Sequence, residues 1–207
     1  MHINNLDIRE GVNDAEIQAL ERLVESIAHP GMKIVEVGCW KGFTTAHLAE
    51  LARKYDGMVY AIDHWQGNPG TANVTEAPKA YETFCHNLKV LELEKFVTII
   101  KEDSIKAASH LPLDSLDFVF LDADHRYTPF KQDVLNYLAL IRPGGVLCGH
   151  DCNGLYSKMG EDERRIIDVH LEEDYVDGYH CGITKALWEI FGENLRWRDG
   201  TIWEVTK

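Results

Sequence analysis

The sequence predicts an α/β fold: a doubly wound, mostly parallel sheet that ends in an antiparallel C-terminal hairpin. Three observations predict it. Five short β-like runs alternate with helical stretches, a spacing that calls for right-handed crossovers and a parallel sheet covered on both faces. The tail breaks this rhythm, because residues 195–198 and 201–206 flank Asp199-Gly200, a two-residue turn signal. With 207 residues, 45% of them apolar, the chain can bury one substantial core, so 1–207 reads as a single domain.

Each element has its own signal. Ile17, Leu20, Val24 and Ile27 recur at helical spacing behind an Asn13 or Asp14 cap and place a helix in an N-terminal segment, 1–30. The β-like runs cover 33–37, 58–62, 96–100, 115–121 and 145–149. Leu48 and Leu51 mark a helix between the first two runs, and Tyr81, Phe84, Leu88 and Leu91 mark one before the third. Before the fifth, Thr128-Pro129 starts a helix, Phe130, Val134, Tyr137 and Leu138 form its buried stripe, and Pro143-Gly144 ends it. The least patterned stretch, 152–180, reads as a lid or substrate wall that carries an acidic helix at 162–170.

Composition narrows the partners. A formal charge of −13 argues against nucleic acid or an anionic membrane surface, which leaves a small-molecule substrate. Cys39, Cys85, Cys148, Cys152 and Cys181 are an odd set without a CxxC pair, read as reduced thiols in a cytoplasmic protein. The first residues lack the basic and apolar pattern of a secretory signal, and no apolar run is long enough to span a bilayer.

Ligands of such sheets sit beyond the carboxyl ends of the strands. The first loop there carries Gly38 and Gly42, which allow a tight turn and close approach of a ligand or the next helix. Asp63 ends the second strand, where a carboxylate can accept hydrogen bonds from a ribose diol. The third glycine of a dinucleotide loop is missing, so the pattern leans away from a pyrophosphate. Asp103 and Ser104 follow the third strand and suit either an adenine edge or, at Ser104, a helix N-cap.

Taken together, VEVGCWKG, AIDHWQG, KEDS, LDADHRY and RPGGVLCGHD resemble the class I S-adenosylmethionine-dependent methyltransferases, in a bacterial small-molecule branch, from about Val35 to Asp151. The resemblance implies a Rossmann-like seven-stranded sheet and S-adenosylmethionine as cofactor. It places Glu36, Gly38 and Gly42 at the methionine end, Asp63 on the ribose, and Asp103 with Ser104 at the adenine. His64 and Trp65 would complete the pocket with Asp122, although Trp65 also reads as packing.

Acidic and imidazole groups crowd the ends of the fourth and fifth strands, and a divalent cation is the economical way to neutralise them. The arrangement is similar to that of metal-dependent O-methyltransferases of the catechol, macrolide-sugar and aminocoumarin types. By that similarity the metal ligands are Asp122, His150 and Asp151. Magnesium or manganese comes first, and the imidazole of His150 keeps iron and zinc open. The proton acceptor is His125 or Asp124; a resting pKa near neutrality favours His125. Relatives of this kind often form homodimers. Two other readings use the same residues: a metal-dependent hydrolase or hydroxylase-like enzyme, and an NAD-dependent oxidoreductase.

Overall fold

The computed structural model describes residues 3, 6, 11–68, 71 and 73–207; the rest of the expected N-terminal segment lies outside the described residues. Asn13 is the cap of the first helix. Its Oδ1 accepts the N–H groups of Ala15 and Glu16 at 2.9 and 3.1 Å, and Glu16 accepts the Asn13 N–H at 2.9 Å, a reciprocal capping box. Helix α1 (Asp14–Ser26) then buries Ile17, Leu20 and Val24.

The apolar runs become β1 (Lys33–Val37), β2 (Met58–Ile62), β3 (Val97–Ile100), β4 (Leu116–Leu121) and β5 (Ile141–Gly149). Between them lie α2 (Phe43–Lys54), α3 (Asn73–Val90), α4 (Ser104–Ser109) and α5 (Tyr127–Leu140). Helices α6 (Glu161–Val169) and α7 (Cys181–Phe191) lead to the short strand β6 (Arg196–Trp197) and to β7 (Trp203–Thr206). All seven strands form one sheet in the order β3-β2-β1-β4-β5-β7-β6. The first five are parallel, and the hairpin is antiparallel.

Side-chain alternation sorts the strands onto two cores. Ile34, Val59, Phe118, Phe120 and Cys148 face α1, α2 and α3, whereas Val35, Val37, Val119, Leu121 and Leu147 face α4, α5 and α7. At the end of the sheet away from the strands' carboxyl termini, the buried Asp117 accepts the Lys33 N–H at 2.7 Å and pairs with His29 and Arg142, fixing the start of β4 against β1.

Two sequence expectations are corrected. Helix α5 stops at Leu140, short of Pro143-Gly144, and those residues lie inside β5 where its register against β4 shifts. The terminal turn spans three residues, because Arg198 N–H donates to the Ile202 carbonyl at 2.7 Å. Thr201 is drawn out of the hairpin by Glu16, whose Oε1 accepts its N–H at 2.8 Å and its hydroxyl at 3.1 Å. The 152–180 stretch carries the expected acidic helix as α6 and a bridge between Val176 and Tyr179, and its Met159 and Ile167 form a small apolar cluster with Cys181 of α7. Among the described residues no helix is long and apolar enough to cross a membrane.

Candidate active site

Sheet order reverses between β1 and β4, and the loops beyond their carboxyl ends part to leave a cavity of about 630 Å³. Gly38, Asp63, His64, Asp103, Ser104, Asp122, Asp124, His125, His150 and Asp151 all line it. Glu36, Gly42 and Trp65 do not, and each departure has a physical reason.

Glu36 shares the strand face of Ile34, so its side chain enters the α1–α3 core, where it is 1% exposed and accepts the Thr45 hydroxyl. Gly42 caps α2 with the Phe84 ring against its Cα, filling the space a side chain would take. Trp65 is buried on Tyr81 and Phe84 at centroid distances of 4.8 and 5.1 Å, and its indole N–H donates to the Trp40 carbonyl at 2.8 Å.

Burial pushes the Glu36 carboxyl up to about 8 from 4.5, against the opposing bond from Thr45, so the folded protein holds it protonated at neutral pH. The sign follows by linkage. Its unfolded form ionises near pH 4.5 while the folded form keeps its proton to about pH 8, so this group costs stability progressively across that interval. Glu36→Gln keeps an acceptor for Thr45 without the buried charge. We expect it to raise stability at pH 8 by on the order of a few kcal/mol and to change little at pH 4.5. Urea denaturation at both pH values checks this, and equal shifts at the two would contradict it.

The loop after β1 is braced from β2. Asp63 Oδ2 accepts the N–H groups of Cys39 and Trp40 at 3.0 Å each, and its Oδ1 accepts that of Trp65 at 2.6 Å. Asp63 therefore shapes the loop from the cavity wall. Asp103, and not Ser104, is the N-cap of α4: its Oδ1 accepts from Ile105 and Lys106 at 3.1 and 3.4 Å. His64 lines the cavity, and its Nδ1 accepts the Gln66 N–H at 2.9 Å.

Across the cavity, Asp151 is the hub of a carboxylate and imidazole cluster. It holds a left-handed φ of 62°, a conformation that costs a non-glycine residue about 1 kcal/mol or more. Its carboxylate oxygens lie 3.2 Å from His125 Nε2, 3.2 Å from His150 Nδ1 and 3.4 Å from His180 Nε2. Asp122 Oδ1 stands 3.8 Å from both His125 and His150. Behind them, His150 Nε2 contacts Glu16 at 3.2 Å, and His125 Nδ1 bonds Asp174 at 3.0 Å.

Burial opposes charge on His125, but Asp122, Asp174 and Asp151 outweigh it and raise its pKa to about 10. His150 is likewise lifted to about 11 by Asp151 and Glu16 despite burial. The expected near-neutral His125 is thus replaced by an imidazolium, because three carboxylates surround one ring. Asp124 is held in one orientation by Arg126, through Nε at 3.0 Å and Nη2 at 2.6 Å.

Glu16, Asp174 and His180 complete this cluster without having been singled out in the sequence. Among the described residues, the groups whose ligand atoms gather within 4.8 Å are Asp122, His125 and Asp151, and His125, Asp174 and His180. The expected trio of Asp122, His150 and Asp151 meets on the same wall, with His150 Nδ1 3.2 Å from Asp151 and 3.8 Å from Asp122, while Glu16 holds the far side of the His150 ring.

Comparison with known proteins agrees with this architecture. Residues 35–152, more than half of the chain, match a family of methyltransferase domains. No curated protein matches the chain. Among solved structures, cofactor-bound Rv0187 from MTB superposes with a TM-score of 0.65 at 19% identity, over 96% of this chain and 82% of that one. A SAM-dependent O-methyltransferase from Thermotoga maritima gives 0.60 at 16%, over 99% and 69%. An rRNA methylase from Streptococcus thermophilus gives 0.54 at 14%, over 98% and 99%. At these identities the structures speak for the fold. The matched span contains the glycine loop, Asp63 and the strand ends that wall the cavity, and so the chain belongs to this methyltransferase-domain family, as a class I S-adenosylmethionine-dependent methyltransferase.

Proposed function

We propose that the protein transfers a methyl group to a hydroxyl oxygen of a small molecule with the help of a divalent cation. One observation carries the reading: Asp122, His125 and Asp151 aim ligand atoms at one place on the cavity wall, within 4.8 Å of one another. Carboxylate oxygens with imidazole nitrogen form a donor set suited to a divalent ion. The charge balance supports it too. Glu16, Asp122, Asp151 and Asp174 crowd His125 and His150, and a dication bound there would take the place of the proton that these carboxylates favour on His125 Nε2, leaving that ring neutral to ligate it.

Bound S-adenosylmethionine supplies a methyl group on sulfur that is already a good leaving group. A cation held by Asp122, His125 and Asp151 would supply the charge that lowers the pKa of a hydroxyl and orients it. The chain's own part is placement. Gly38 and Asp63 set the wall on one side of the cavity and the cluster sets the other, so the two reactants are held in one enclosure, where fixed geometry provides most of the acceleration. With His125 committed to the cation, Asp124 on the same wall is the proton acceptor, its orientation fixed by Arg126. The acidic wall and the formal charge of −13 favour an uncharged or cationic small molecule over nucleic acid.

The test is methyl transfer to a panel of vicinal diols and catechols with purified protein, before and after chelation. Activity should fall at least tenfold with EDTA and return with added manganese or magnesium. Transfer indifferent to the chelator would overturn the reading.

A further inference from the structure

Helix α5 carries a buried carboxyl that the folded chain leaves incompletely bonded. Pro129, Asp133 and Tyr137 recur every four residues along it and so share one face. Tyr137 is pinned at one end of that face, its hydroxyl donating to the Ser104 carbonyl at 2.9 Å. Asp133, one turn earlier, lies beside the same start of α4 and takes a hydrogen bond from Ser104. The residue is 4% exposed, yet its Oδ1 has no hydrogen-bond partner among the described residues. An orphaned buried acceptor is costly unless water or a ligand satisfies it.

Asp133 also lines the cavity, together with Asp103, Ser104, Ile105 and Pro129. This corner has the chemistry of a base pocket. Ile105 offers an apolar side chain that is 46% exposed, and Pro129 a rigid ring, both of them surfaces that a flat heterocycle covers. The carboxylates of Glu102 and Asp103 beside it would repel the methionine carboxylate of S-adenosylmethionine, so the corner suits the uncharged end of the cofactor. The two residues expected to face the adenine are engaged elsewhere: Asp103 caps α4, and Ser104 bonds Asp133.

Adenine has one hydrogen-bond donor, its 6-amino group; its ring nitrogens accept. Burial pushes the Asp133 carboxyl up to about 7 against the bond from Ser104, and the charges of Asp103 and Asp124 add to the rise. Ionised or neutral, a carboxyl keeps an oxygen that accepts, so a contact with the amino group does not turn on its charge.

We infer that Asp133 is the adenine-reading residue of the cofactor site, its unpartnered oxygen accepting a hydrogen from the 6-amino group. The contact belongs to cofactor recognition and holds or fails independently of any cation or methyl acceptor.

The experiment compares two ligands by titration calorimetry on the full chain: S-adenosylhomocysteine, and its analogue in which hydrogen replaces the 6-amino group. The parent should bind the amino form about tenfold or more tightly, because the analogue leaves Asp133 unpaired. Asp133→Ala should bind the two within about twofold of each other, whereas Asp133→Asn, which keeps an amide oxygen, should retain a preference of at least about fivefold. A merely structural role would weaken both ligands together and leave their ratio unchanged.

A parent that binds the two ligands alike, a preference that survives in Asp133→Ala, or one that is absent from Asp133→Asn would overturn the inference. If Asp133→Ala does not fold, infrared difference spectra of the parent decide. The Asp133 carboxyl band, identified by its loss in Asp133→Asn, should shift when S-adenosylhomocysteine binds and stay in place with the analogue. Equal shifts with both ligands, or failure to bind S-adenosylhomocysteine at all, would overturn it.

Discussion

Gly38→Ala is expected to weaken S-adenosylhomocysteine binding by at least about 100-fold, roughly 3 kcal/mol. A Cβ at this position would sit 1.9 Å from the Asp122 carbonyl oxygen, 2.5 Å from its carbon and 2.9 Å from the Ala123 Cα. These are all backbone atoms, so no side chain can swing aside. The strands cannot separate either, because the Asp122 N–H donates to the Val37 carbonyl at 2.8 Å immediately before the loop. The φ of +89° adds a further cost for any residue with a side chain. Relief must come from the two loops, which are the walls of the cavity. Titration calorimetry checks the expectation beside a thermal melt, and affinity kept within about threefold would show that the close approach is dispensable.

Asp151→Ala should lower methyl transfer by about 1000-fold or more, near 4 kcal/mol of lost transition-state stabilisation. S-adenosylhomocysteine affinity should stay within a few-fold. The carboxylate is the group that His125, His150 and His180 share, so its loss leaves three imidazoles with no common anion between them. Asp151→Asn tests charge apart from shape and is expected to be nearly as inactive. Single-turnover rates measured with cofactor titrations make the distinction. Parallel loss of cofactor binding in both variants would assign Asp151 to the cofactor pocket.

Much of this was legible in the chain because its signals are local. Strands β1 and β2 begin and end where their apolar runs do. The residues after β4 and β5 reach the cavity wall because position at a strand's carboxyl end fixes where a side chain emerges. Strand alternation also held the answer for Glu36: Ile34 and Glu36 share a face, opposite Val35 and Val37, and that face is the α1–α3 core.

Glu16, Asp174 and His180 were hidden for a different reason. The Asn13 to Glu16 spacing is a complete capping-box signature, so the local role of Glu16 accounted for its presence and masked the contact with His150. Asp174 and His180 sit in a stretch with no periodicity, and only tertiary packing brings them to His125. No short-range pattern encodes that meeting. A histidine immediately ahead of the apolar helix α7 was the one available hint.

The carboxylate of Glu16 joins α1 to both sides of the cluster, touching His150 and, through Thr201, the Asp151 N–H, which donates to the Thr201 hydroxyl at 3.1 Å. Helix α1 itself lines none of the cavity. Its amide hydrogens should therefore act as a remote gauge of occupancy. Added Mn²⁺ should slow their exchange with deuterated solvent, because whatever steadies His150 and Asp151 also closes the openings through which α1 loses its protection.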